Sequence, residues 1–483
     1  MGNALANLML VIWPVVCLVM FRTMRLERAL IWSILGGYLF LPPLTEFNLP
    51  FVPDMDKVTI PNLSVLLILM FAMKEKLQLW PHSRTALVLV TGVILSAVPT
   101  VLTNRDPILF EVLRDAEPII FIVDYIPGQS LRDLGSALVG QLLIIVPFLL
   151  ARQFLSSDEG LREILLALMI GGVVYSIPSL IEIRFSPQMN VWVYGFFQHD
   201  FQQMVREGGF RPIVFLPHAL WLALFMVMAL LSCAALVRET PALDRWKMLL
   251  LVAYLMMMVV LCKSLASQLY AIALLPVVLF LPARWQIRLA CLFGLIAVAY
   301  PMLRNAHLIP LDWILEKAGE ISADREQSLW YRFRNEEQLL DRAAEKPLFG
   351  WGAWGRNLFR DPETGIILTI PDGYWIIAFG SFGWLGYVSE FGLLALPLLL
   401  IWLSLRKDAP MSPYVAPLCL ILGITMIDML LNATLTPVIW MVAGAILGHA
   451  ERRMPRSVKP PRYPLHGAIQ GEKAGPPGKR TVL

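Results

Sequence analysis

Charge is what this sequence has least of. Asp, Glu, Lys and Arg make up 16% of its 483 residues, against about 25% in ordinary soluble domains. Lys and Arg number 40 against 36 Asp and Glu, a net charge of +4. That balance leaves no basic field of the kind that holds nucleic acid. Cysteine is scarce, and Cys17, Cys233, Cys262, Cys291 and Cys419 lie in or beside apolar stretches with no metal-ligand spacing. Neither a disulfide framework nor a zinc module is expected. Ala4–Met20 has no basic segment before it and no small-residue cleavage site after it, so it reads as a retained span rather than a removed signal peptide. What the chain does have is apolar bulk, 57% of its residues, gathered in long blocks. The expected class is an all-α polytopic membrane protein.

A membrane-crossing helix needs about 20 mostly apolar residues. Segments near 4–21, 27–42, 60–74, 86–103, 137–152, 163–182, 213–237, 247–262, 265–281, 287–303, 375–405, 413–431 and 435–450 meet or approach that length, giving about 11–13 spans. The segment 375–405 is long enough to be broken, and Gly380, Gly383, Gly386 and Gly392 lie within it. Basic residues mark alternate junctions: Arg22, Arg25 and Arg28; Lys74, Lys76 and Arg84; Arg152 and Arg162; Arg238, Arg245 and Lys247; Arg284 and Arg288; Arg406 and Lys407. Positive short loops stay in the cytoplasm. The membrane domain 1–452 therefore sends loops 43–59, 104–136, 183–212 and 304–374 to the periplasmic side. The last is the largest and carries a helical stretch, Gln327–Ala344. The Pro-, Gly- and Lys-rich tail 453–483 reads as a disordered basic cytoplasmic extension.

Charged groups close to hydrocarbon are expensive and mark function. Lys263 lies at the outer junction of two spans, with Gln268 a few residues on; it fits a lysine reaching the headgroups or an anion ligand. Arg206 and Arg211 bracket a Gly-Gly turn before a span that includes His218. Guanidinium matches phosphate with a planar, permanently charged fork. Arg332 and Arg334 stand two apart in the large loop, so only one need face inward. Asp372 precedes a span, where it fits an N-cap or a catalytic carboxylate. Asp428 and Asn432 read as helix-end polar contacts. Asp54-Met-Asp56 offers a short pair of carboxylates that a divalent cation bridging a diphosphate could use. Trp192, Tyr194, Trp330, Tyr331, Trp351 and Trp354 supply flat faces for sugar rings or an interfacial belt.

Over residues 200–450, at Arg206–His218 and again from Arg332 through Pro347-Leu-Phe-Gly-Trp-Gly352 to Trp375, the chain resembles the bacterial O-antigen ligase and polysaccharide polymerase superfamily. The resemblance implies a GT-C-like glycosyltransferase of the bacterial inner membrane, its active site facing the periplasm. Its donor would be a glycan on undecaprenyl diphosphate and its acceptor a sugar hydroxyl. Polysaccharide export and chain-length proteins are the implied partners, and no cofactor or metal is called for. By that resemblance Arg211 and Arg332 would hold the donor diphosphate. The chemistry of the residues themselves makes Asp372 the candidate proton acceptor and Arg206, His218, Lys263, Gln268 and Arg334 the candidate substrate-binding residues. Family ligases often carry a histidine where this chain has Asp372-Gly373, which favours a polymerase. The alternatives are a metal-dependent transferase using Asp54 and Asp56, and a non-enzymatic transporter or flippase of lipid-linked glycans.

Overall fold

A computed structural model describes residues 2–49, 52–114, 119–206, 208–306, 308–405 and 411–453. The tail beyond Arg453 and the pair Arg406 and Lys407 lie outside the described residues. Every segment read as a span contains a helix, although the segment 213–237 is helical only from Ala219. In chain order the helices are α1 (Ala4–Thr23), α2 (Leu26–Phe40), α3 (Thr59–Leu67), α4 (Arg84–Leu95), α5 (Ala97–Leu102), α6 (Leu131–Phe154), α7 (Asp158–Phe185) and α8 (Met189–Tyr194). They continue as α9 (Ala219–Val237), α10 (Arg245–Leu261), α11 (Leu265–Phe280), α12 (Ala283–Asn305), α13 (Leu311–Ile321), α14 (Ala323–Ala344), α15 (Tyr374–Ser404), α16 (Val415–Asp428) and α17 (Pro437–Arg453).

Among the described residues, seven helices are long and apolar enough to cross a membrane, and three further apolar helices are shorter. The expected count of 11–13 exceeds the seven because α2, α10, α11, α16 and α17 run only 14–17 residues and α3 only 9. The described residues are mostly helical, as expected, with almost no sheet. Two antiparallel hairpins stand in segments read as plain loop: β1 (Ile108–Arg114) with β2 (Ile119–Ile126), and β3 (Val205–Arg206) with β4 (Gly209–Phe210). The large loop also holds more helix than Gln327–Ala344, since α13 precedes α14 and α14 starts at Ala323.

Helix α9 is the centre of the bundle, packed against α7, α10, α11 and α16. It is apolar all round, and nearly all of its side chains are buried, as expected of a helix enclosed on every side. Helix α1 is peripheral. Its buried residues Leu10, Trp13, Cys17 and Phe21 face the bundle, while Leu8, Val11, Ile12, Val15 and Val19 form an exposed stripe. An apolar stripe of that length is a liability in water and a match for lipid.

Helix α15 is broken, as its glycines allow. Gly383 sits at φ 61°, ψ −162°, inside an otherwise helical run. The break frees backbone groups, and Pro347-Leu-Phe-Gly-Trp-Gly352 takes them up. Trp351 and Gly352 donate to the carbonyls of Gly380 and Ser381, both at 2.9 Å, while Trp384 and Leu385 donate to those of Pro347 and Leu348 at 2.7 and 3.2 Å. A methyl at Gly383 would lie 2.4 Å from the Leu348 carbonyl carbon, and one at Gly350 the same distance from that of Ser381. Each segment therefore places a glycine where the other's backbone comes closest. Irregular backbone at membrane depth is tolerated only where protein satisfies it, and this motif does so.

Ion pairs gather alternate junctions at one end of the bundle. Arg25 and Arg28, at the start of α2, pair with Glu159 and Glu163 at the start of α7. Arg152 at the end of α6 pairs at 2.9 Å with Glu451 near the end of α17, which also accepts the backbone amides of His82 and Ser83 ahead of α4. Arg238 after α9 donates to the Leu281 carbonyl between α11 and α12. The segments expected to carry function lie at the opposite end.

Candidate functional site

At that opposite end, a cavity of about 1030 Å³ opens between the segment 199–221, the start of α14, residues 370–372 and the turn after α16. Arg206, Arg211, His218, Arg332 and Asp372 all line it, with Gln202, Gln203, His199, Trp330 and Tyr331. Five of the eight expected site residues, drawn from segments more than 100 residues apart, thus share one space. Lys263, Gln268 and Arg334 do not line it.

The arginine strap is built by hydrogen bonds that the sequence does not announce. Hairpin β3–β4 pairs Arg206 with Gly209, and the amide of Arg211 continues the ladder to the Met204 carbonyl at 2.8 Å. The Arg211 side chain is buried. Beyond it the chain turns sharply, with Val214 at φ 54°, a costly conformation for a β-branched residue. Four side chains hold it there. Glu182 of α7 accepts the amides of Ile213 and Val214 at 2.7 and 2.8 Å and that of Met189 at 2.9 Å. Tyr175 Oη accepts the Phe215 amide, and Gln198 donates to the carbonyls of Val214 and Leu216. Lys57 Nζ donates to the Phe215 carbonyl at 2.9 Å, and burial pushes its pKa down to about 7.

His218 is not inside the span, as expected from sequence, but is the N-cap of α9. Its Nδ1 accepts the Leu220 amide at 2.9 Å, because the strap, not the helix, occupies 213–217. Burial, then neighbouring His199, Arg211 and Arg332, push its pKa down to about 3, so the ring is neutral.

Arg332 comes from α14, a helix anchored by a buried polar knot. Glu336 accepts from Arg304 Nε at 2.9 Å, from Tyr300 Oη at 3.1 Å and from Trp375 Nε1 at 3.2 Å. Burial raises the Glu336 pKa, and these hydrogen bonds oppose the rise. Asn335 holds the approach to α15 by accepting the Ile370 amide at 3.1 Å. Arg332 then faces the cavity. Its Nη1 donates to Asn432 Oδ1 at 3.1 Å, and its Nε stands 3.8 Å from Asp372 Oδ2. Asn432 donates in turn to Asp428, which also accepts from Thr434. The helix-end contacts expected of Asp428 and Asn432 are therefore also the support for Arg332.

Asp372 is not a cap. Gly373 holds the N-cap position of α15 with no side-chain bond, which leaves the Asp372 carboxylate to the cavity and Arg332. Burial raises its pKa, and Arg332 opposes the rise.

The three absent residues have structural partners instead. Arg334 is exposed and stacks over Trp330 at 5.3 Å; it lies two residues from Arg332 and so off its helix face. Lys263 Nζ donates to the Arg206 carbonyl at 2.8 Å, at the α10–α11 junction where it adopts φ 51°. This ties it to the hairpin rather than placing it in the cavity. Gln268 donates to the Val260 carbonyl near the end of α10. Asp56 Oδ1 accepts the amides of Val58 and Thr59, so this half of the Asp54–Asp56 pair serves the start of α3. Among the described residues, no group of three or more His, Cys, Asp or Glu side chains is placed to hold a metal ion. Of the aromatics, Trp330 and Tyr331 rim the cavity. Tyr194 is buried and donates to Phe40, while Trp351 packs beneath Arg342. The sequence does not single out His199, whose one signal is its place in the same loop as Arg206. No protein-family model matches this sequence, and no curated protein matches it at a significant level.

Proposed function

We propose that the protein is a glycosyltransferase of the bacterial inner membrane, acting on the periplasmic side, that extends or transfers glycans carried on undecaprenyl diphosphate. The observation that carries the reading is the convergence of Arg206, Arg211 and Arg332 with Asp372 and two rim aromatics in one cavity. Guanidinium groups suit a leaving diphosphate, and the flat rings of Trp330 and Tyr331 suit sugar faces.

In the reaction, an acceptor sugar hydroxyl attacks the anomeric carbon of the lipid-linked unit. The bond from that carbon to the diphosphate oxygen breaks through an oxocarbenium-like state. Negative charge grows on the departing lipid diphosphate, and Arg211 and Arg332 stabilise it where it develops. Asp372 takes the hydroxyl proton. Its raised pKa makes it a better proton acceptor than a surface aspartate, and Arg332 keeps enough of it ionised to act. We favour polymerisation over ligation, since the carboxylate of Asp372 stands where ligases of the resembled superfamily use histidine.

The test is purified protein in nanodiscs with undecaprenyl-diphosphate oligosaccharide. A ladder of products identifies a polymerase. A single transfer to lipid A core identifies a ligase. Intact donor after prolonged incubation with either acceptor overturns the reading.

A further inference from the structure

We infer that His199 and His218 act as fixed hydrogen-bond donors to the cavity, completing with the arginines a pocket for the pyrophosphate group of the substrate. The inference deepens the proposed function and rests on it for the identity of the anion.

The argument begins with tautomers. In each ring Nδ1 accepts a backbone N–H: that of Asp200 at 2.7 Å for His199, and that of Leu220 at 2.9 Å for His218. A nitrogen that accepts an N–H carries no proton of its own, so the neutral ring holds its proton on Nε2. Both rings line the cavity, edge to face with centroids 4.4 Å apart. Among the described residues neither Nε2 has a hydrogen-bond partner in the protein. Two N–H groups are therefore offered to whatever fills the space.

The same geometry excludes either histidine as a proton acceptor. A second proton would have to settle on Nδ1, where it would meet a backbone N–H and, at His218, undo the cap of α9. The charged groups facing the pair are Arg206, Arg211 and Arg332, with Asp372 as the one carboxylate among the described lining residues. A cationic imidazole would join a cluster already positive. The proton released by the acceptor hydroxyl is thus left to Asp372, and each ring keeps its Nε2–H turned to the cavity as a donor. Neutral donors beside cationic ones suit a diphosphate, whose oxygen lone pairs outnumber the two bonds that each guanidinium fork aims at it.

Calorimetry with inorganic pyrophosphate, in EDTA, on the full chain in nanodiscs tests this. Four variants are compared with the parent: His218→Gln, His218→Phe, His199→Gln and His199→Phe. Glutamine offers an N–H near the Nε2 position and phenylalanine does not, yet both remove the Nδ1 acceptor, so equal melting temperatures within each pair control for folding. The Phe variants are expected to bind pyrophosphate about ten-fold more weakly or worse, the loss of a hydrogen bond to a charged group. The Gln variants are expected to stay within about three-fold of the parent, keeping that bond. Gln variants as impaired as Phe variants, or Phe variants that bind like the parent, overturn the donor assignment. Glycan transfer is scored separately. A parent protein that binds pyrophosphate with the expected split between Gln and Phe variants, but transfers no sugar, refutes the transferase reading and upholds the donor assignment.

Discussion

Replacing Arg332 by alanine separates the chemical role of this side chain from its structural one. Structurally, the guanidinium makes two hydrogen bonds, to Asn432 Oδ1 at 3.1 Å and to the Leu431 carbonyl at 3.3 Å, and one loose ion pair with Asp372 at 3.8 Å. The side chain is 23% exposed. Each hydrogen bond contributes about 1 kcal/mol net, and a solvent-reachable ion pair contributes about 0–1 kcal/mol. Asn432 keeps its bond to Asp428, so the knot beneath does not collapse. The stability loss should therefore be about 1–3 kcal/mol. Removing one preorganised donor from a developing oxyanion costs about 10²–10³ in rate, or about 2.7–4 kcal/mol at the transition state. Single-turnover transfer from undecaprenyl-diphosphate oligosaccharide at saturating donor, with melting followed on the same preparation, reads both quantities. Arg332→Lys should fall between, since ammonium keeps the charge and loses the fork. An Arg332→Ala protein that turns over within ten-fold of the parent refutes the diphosphate role.

Asp372→Asn should lose about 10²–10⁴ in turnover while keeping its affinity for pyrophosphate by calorimetry. Because burial raises the Asp372 pKa in the fold, its stabilising contribution is present at low pH and lost as pH rises through the raised value; the Asn protein should melt no lower than the parent at pH 7. The acid limb of the parent's rate profile should lie above the usual carboxylate range, and Arg332→Ala should move it further up. Glu336→Ala should cost about 3–5 kcal/mol, because it strands Arg304 in a pair whose side chains are each only 7% exposed; Glu336→Gln should melt closer to the parent. Gly383→Ala should lower the melting temperature sharply, since strained backbone alone costs about 1–3 kcal/mol and the new methyl would meet the Leu348 carbonyl.

The helices and the two ends of the bundle were legible because apolar blocks and basic junctions are local properties of the sequence. Arg211, Arg332 and Asp372 were legible for a related reason: charges next to long apolar blocks are few, so each one stands out. Side-chain direction was not legible. Arg334 and Lys263 share composition and neighbourhood with the residues that line the cavity, and only the helix face of one and the hydrogen bond of the other to Arg206 set them apart. By position alone Asp372, just before a helix, fits a cap. The chain spends Gly373 on that position instead and leaves the carboxylate to the cavity.

What sequence reasoning missed is mostly support, and support is long-range. Glu182 fixes the strap from 31 and 32 residues away and Lys57 from 158, while Asn432 meets Arg332 across 100 residues. No local pattern encodes those pairings. Glu182 even lies within an apolar span, where an acidic residue signals function by default. The hydrogen bonds give it another reason to be there. Three backbone amides converge on its carboxylate, two of them flanking the strained turn that follows Arg211. A carboxylate is the one side chain that can accept all three at once without bringing a donor of its own. Glutamine would present an N–H₂ to one of those amides, so the strap should loosen in Glu182→Gln although volume and shape are kept. Arg211 would then lose the turn that aims it, without any change to a residue lining the cavity.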